Sequence, residues 1–180
     1  SVTPAELIGA MLRTKVDLLW FGGIGTFIKA STESHNEVGD RTNDAFRIDG
    51  RDVGARVIGE GANLGVTQRG RIEYALAGGR INTDAIDNSG GVDCSDHEVN
   101  IKILLGDVVA GGDMTIKQRD ALLVKMTDEV AELVLKDNYQ QTQAISVMAA
   151  RAPELFEQQV RMMHSLERAG RLDRYLEALP

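Results

Sequence analysis

The chain has 180 residues, 43% hydrophobic and 26% charged, with a net charge of −7. That is enough for one ordinary domain with a helical appendage, and it excludes a disordered chain. Twenty basic against 27 acidic residues leave no cationic cluster to displace counterions, which excludes a nucleic-acid surface.

The longest uncharged apolar run, Leu18 to Ile28, is shorter than the ~20 residues of a membrane span. No basic stretch followed by an apolar one opens the chain, and the single cysteine, Cys94, excludes an internal disulfide. A cytoplasmic location is expected. Because the first residue is Ser1 rather than Met, a piece of something longer is expected too.

In chain order, Thr3, Pro4 and Glu6 predict a capping box ahead of a helix lined by Leu7, Ile8, Met11 and Leu12. Asp17 to Phe21 reads as a buried strand stopped by Gly22-Gly23. Residues 31–55 are polar and turn-rich, with no clear period. Arg56 to Glu60 reads as a second strand, Thr67 to Leu76 as a helix closed by Gly78-Gly79, and Arg80 to Ile86 as a third strand.

Asp93 is expected to cap a helix reaching about Ala110. Thr115 with Gln118 predicts another capping box, followed by an apolar stripe of Ile116, Leu122, Leu123, Met126, Val130, Leu133 and Val134. Further helical runs cover Thr142 to Ala150 and Pro153 to Gly170, and a last turn holds Leu172, Tyr175 and Leu176. All glycines but Gly170 precede Asp113, which places a boundary near Gly111-Gly112-Asp113 and divides the chain into 1–112 and 113–180. The strand, Gly-turn, helix, strand rhythm predicts half of an open α/β domain, its Gly-rich turns at a ligand crevice.

Three turns invite chemistry. Gly22-Gly23-Ile24-Gly25 is either a plain tight turn or bare backbone against which an adenosine or ribose lies. Asn63 either holds its own backbone or bonds a ribose hydroxyl, since it offers both donor and acceptor. Asn88-Ser-Gly-Gly-Val92 with Asp93 and Ser95 is either a capped helix start or an anion site on that start; one end of a helix serves both.

Residues 81–100 carry Asp84, Asp87, Asp93, Asp96 and Glu98 without a Lys or Arg. Either this is a solvated acidic face or a cationic surface closes over it. Cys94, Asp96, His97 and Glu98 raise a metal reading, but His35 and His164 lack ligand-spaced partners. Capping claims the acids first, so no metal site and no cysteine nucleophile are expected.

Taken together, Arg56-Val-Ile-Gly-Glu-Gly-Ala-Asn63 and Asn88-Ser-Gly-Gly-Val92 with Ser95 resemble the cofactor domain of glutamate dehydrogenases. The longer phrases Gly59 to Arg71, Gly79 to Asp84 and Asp87 to Asn100 resemble the large bacterial NAD-dependent glutamate dehydrogenases. The resemblance runs from Val16 to about Leu105, and more loosely to Arg171-Leu-Asp-Arg174. It implies a fold: the second half of a Rossmann-like parallel-sheet NAD-binding domain, then an all-helical C-terminal region. It also implies an activity, oxidative deamination of L-glutamate to 2-oxoglutarate and ammonium with reduction of NAD, in a homo-oligomer.

By position, the resemblance gives Gly22, Gly23, Gly25, Asn63 and Asn88 to the cofactor. Gly90, Gly91 and Ser95 go to the substrate, Ser95 donating to its distal carboxylate. The chain departs from the small hexameric relatives at Leu64-Gly65, Ser89, Asp93 and Asp96, and two acids beside a bound carboxylate need neutralising. The catalytic lysines and aspartate of the family are expected upstream of Ser1, leaving this piece inactive alone. The rival expectation is a non-catalytic helical interaction module with a degenerate nucleotide-binding fold.

Overall fold

The structure is a computed structural model that describes residues 1–179. Helix α1 (Pro4–Leu12) opens on the expected reciprocal box, with Thr3 and Glu6 each bonded to the other's backbone. Strand β1 (Leu18–Phe21) follows, then β2 (Ile28–Lys29), α2 (His35–Val38), β3 (Ile48–Asp49) and β4 (Val57–Glu60). Helix α3 (Gln68–Leu76) is capped by the Thr67 hydroxyl and left through Gly78, whose φ is +97°. Then come α4 (Asp84–Asp87), α5 (Ser89–Ala110), α6 (Ile116–Ala150) and α7 (Ala152–Arg168).

The expected Rossmann-like parallel sheet does not form. Among the described residues there are two sheets of two strands each, β1 with β4 and β2 with β3, both parallel. The segment from Arg80 to Ile86 contributes a single bridge, Arg80 to Val57, and then turns into α4. The cause lies in two acids. The Asp87 carboxylate accepts the Glu60 N–H at 2.9 Å and the Asp84 carboxylate accepts the Leu64 N–H at 2.9 Å. Both carboxylates are thus spent on the tip of β4, and the chain carrying them curls into a turn that an extended strand could not make. More than half of the chain is helical instead.

Two compact units result: Ser1–Asp87 with Ala150–Pro180, and Asn88–Ala149. In the first, Leu12, Phe21, Ile28, Ile48, Ile58, Val66 and Tyr74 form the buried core. The Tyr74 hydroxyl donates to the Ala55 carbonyl at 2.8 Å, so the one buried phenol is satisfied. Phe21 and Phe27 stack with ring centres 5.3 Å apart.

In the second unit α5 starts at Ser89, with Asn88 as its cap residue, so Asp93 lies inside the helix rather than at its end. Gly90 and Gly91 fit a helical first turn as readily as a loop, which is why their pair misled. The Thr115–Gln118 box forms as expected, and α6 runs 35 residues without a break, joining two runs that were expected to be separate. Leu105 is the one buried hydrophobic residue of α5 and α6; Leu122, Leu123, Met126, Val130 and Val134 are half-buried.

Ile58 is 2% exposed at the centre of the first core. Ile58→Ala should cost about 2–5 kcal/mol, the range for truncating a buried aliphatic side chain. Urea denaturation followed by circular dichroism should show the loss, and a midpoint equal to that of the parent would refute the core assignment.

Candidate functional site

The sequence marks two turns of the first unit and the start of the second. The turns after β1 and β4 lie side by side. The Thr26 hydroxyl donates to the Leu64 carbonyl at 2.7 Å, and the Phe27 N–H to the Gly65 carbonyl at 2.8 Å. The Ala62 N–H bonds the Phe21 carbonyl at 3.0 Å, continuing the β1–β4 ladder one step into the second turn. Gly22, Gly23, Gly25 and Asn63 are therefore brought to one end of one strand pair.

Backbone geometry at this end is tightly determined. Gly25 has φ +137°, and a Cβ there would lie 2.4 Å from the Asn43 amide, so no other residue fits. The next N–H, that of Thr26, donates to the Asp40 carboxylate at 2.8 Å. That bond, with Asn43 and Arg47 nearby, holds the Asp40 carboxyl below its ordinary range. Arg47, its side chain fully buried, donates to the Thr26 carbonyl at 2.8 Å and to Asp44. Leu64, without glycine's freedom, takes φ +64°. It is held there by Asp84 on its N–H and Thr26 on its carbonyl.

By contrast, a Cβ at Gly23 would meet nothing within 4 Å. Ile24 is 95% exposed, and Asn63 is exposed. The end of the strand pair thus presents braced backbone that is open at Gly23. Trp20, the only tryptophan, lies over it: a Cβ on Gly61 would come 2.4 Å from the indole. Sequence reading missed Trp20, although its alternation with buried Phe21 put it on the outer face of the strand.

Beneath the second turn sits a buried ion pair. Glu60 is fully buried and accepts Arg71 Nη2 at 2.7 Å, Arg71 Nε at 3.3 Å and the Val66 N–H at 3.0 Å. Burial raises the Glu60 pKa above its ordinary value, and the Arg71 guanidinium works against that rise.

In the second unit, Gly90, Gly91 and Ser95 all lie within α5. The Ser89 hydroxyl donates to Asn138 Oδ1 on α6 at 2.6 Å, and Gly90 faces the same Asn138 amide. Gly91 and Ser95 are exposed. Of the five acids expected to form one face, Asp84 and Asp87 are instead ligands of the first unit's backbone, and Glu98 pairs with Lys102.

The sequence profile of bacterial NAD-glutamate dehydrogenase, catalytic domain, matches residues 1–148. The chain belongs to that family. It is 61% identical to the NAD-specific glutamate dehydrogenase of Pseudomonas aeruginosa, 59% to that of Halomonas elongata and 53% to that of Mycobacterium tuberculosis. Each comparison covers 99% of this chain but 11% of the relative, so the chain spans about a tenth of their length. Among the described residues, no helix is long and apolar enough to cross a membrane.

Loss of Arg71 would leave the Glu60 carboxylate buried without its cation. Arg71→Met should cost about 3–5 kcal/mol at neutral pH. A carboxyl whose folded pKa is raised contributes stability below its unfolded value, near 4.5, and loses it as pH rises through the folded value. The deficit of the variant should therefore shrink near pH 4.5 and widen toward neutrality. Urea midpoints at both pH values check this; an equal deficit at both would refute it.

Proposed function

We propose that this chain supplies part of the cofactor and substrate site of a cytoplasmic, homo-oligomeric NAD-dependent glutamate dehydrogenase. The enzyme oxidises L-glutamate to 2-oxoglutarate and ammonium, and the chain works with the remainder of a longer polypeptide. The observation that carries this reading is the bonded pair of turns at one end of β1 and β4. Open backbone at Gly23 and exposed Asn63 fit a flat, hydrogen-bonding ligand, and Gly25 is locked in place beside them.

NAD, when bound, supplies the acceptor for the hydride leaving the α-carbon of glutamate. The chain's own residues bind and orient. Gly22 and Gly23 let the cofactor approach main chain, and Gly25 fixes the turn that carries them. Asn63 offers its amide to a ribose hydroxyl, and Asn88 its amide to the nicotinamide or the reacting end of the substrate. Gly90 and Gly91, in the first turn of α5, let the substrate approach the main chain at the positive end of that helix. Ser95, one turn further on, donates its hydroxyl to the distal carboxylate. None of these side chains is an acid–base group of suitable strength, so the proton-transfer residues belong to the rest of the polypeptide and this chain alone is inactive.

The test is Asn88→Ala in the full-length protein. Glutamate-dependent NADH production should fall by at least about tenfold, while the circular dichroism spectrum shows a folded protein. Unchanged turnover would overturn the assignment, as would glutamate oxidation by the 180-residue chain alone.

A further inference from the structure

The second unit holds a group that the dehydrogenase reading does not use. Asp93 and His97 stand four residues apart on α5 and so share one face of that helix. His97 Nε2 lies 3.5 Å from Asp93 Oδ1 and 3.8 Å from Asp137 Oδ2 on α6. One donor atom from each of the three side chains falls within 4.8 Å of the other two. All three residues are half-buried.

A second observation points the same way. Asp93 Oδ2 and His97 Nε2 are both closed off from solvent and have no hydrogen-bond partner. Shielded polar atoms that make no hydrogen bond are costly, and here two sit in one cluster, His97 Nε2 with only the two long carboxylate approaches just given. A cation bound between the side chains removes that cost. Donors on a zinc ion at bonds near 2.1 Å stand roughly 3.4 Å apart in a tetrahedron, close to the spacing found here.

We propose that Asp93, His97 and Asp137 form a binding site for a divalent cation of the zinc class. One imidazole and two carboxylates suit a borderline first-row ion and disfavour calcium or magnesium, which take oxygen alone. Two carboxylates also neutralise the charge of the ion. The cation ties the first turns of α5 to the middle of α6, so its role is structural. Cys94 and Glu98 are not ligands: both line the apolar groove beside Leu123, Met126 and Val130. Sequence reading passed the site over because the third ligand is supplied by another helix, far along the chain.

The experiment is calorimetric titration of the metal-stripped 180-residue chain with Zn2+. One equivalent should bind, and His97→Ala and Asp137→Asn should each weaken binding by at least about tenfold. Glu98→Gln, a change to an acid outside the cluster, should leave binding as it was. A measurement on the parent chain guards against variants that fail to fold: in NMR spectra, one equivalent of Zn2+ should move the ring resonances of His97 while those of His35 and His164 stay where they were. Absence of uptake, or uptake indifferent to His97→Ala, would overturn the proposal and leave His97 as an ion-pair bridge between two acids.

Discussion

The first unit hangs on one buried carboxylate. Glu60 ends β4, and through its two oxygens it takes hold of the Val66 N–H and the Arg71 guanidinium. Its own N–H is taken by Asp87. Four pieces of chain therefore meet at one residue: the strand, the turn leading to α3, α3 itself and the acidic turn of α4. Water has no access to this carboxylate, so its charge is stable only while Arg71 is in place. The position of the second turn, with Asn63 at its tip, follows from that pair.

The same arrangement explains why an exposed end of a short strand pair keeps a fixed shape. Exposed backbone ordinarily samples several conformations. Here Thr26 and Leu64 are held by side chains, Thr26 by Asp40 and Leu64 by Asp84 and Thr26; Gly25 abuts Asn43, and Arg47 bonds the Thr26 carbonyl. Rigid backbone with open space in front of it loses little entropy when a ligand settles on it.

Much of this was legible from sequence where the signal was local. The boxes at Thr3–Glu6 and Thr115–Gln118, the helix read from Thr67 to Leu76 and the strands read at 17–21 and 56–60 all follow from neighbouring residues, and each is present to within a residue. Where partners are distant, the reading failed. Asp84 and Asp87 looked like solvated acids or the end of a strand, because nothing local says that they reach back to Leu64 and Glu60. A third strand was expected for that reason, and the family resemblance added a Rossmann-like sheet that the two short strand pairs do not form. Strands β2 and β3 are two residues each, too short for any period to show. Gly90-Gly91 read as a turn because glycine is permissive in both states; in the structure the Gly91 N–H donates to the Asn88 carbonyl in the first turn of α5.

The central claim is that the braced turns after β1 and β4 form one wall of the cofactor site. A cryo-electron microscopy map of the full-length protein with NAD bound tests it most directly. Cofactor density should lie in van der Waals contact with the main chain at Gly22-Gly23 and within hydrogen-bond reach of Asn63. Density seated elsewhere, with those turns still facing solvent, would contradict the account.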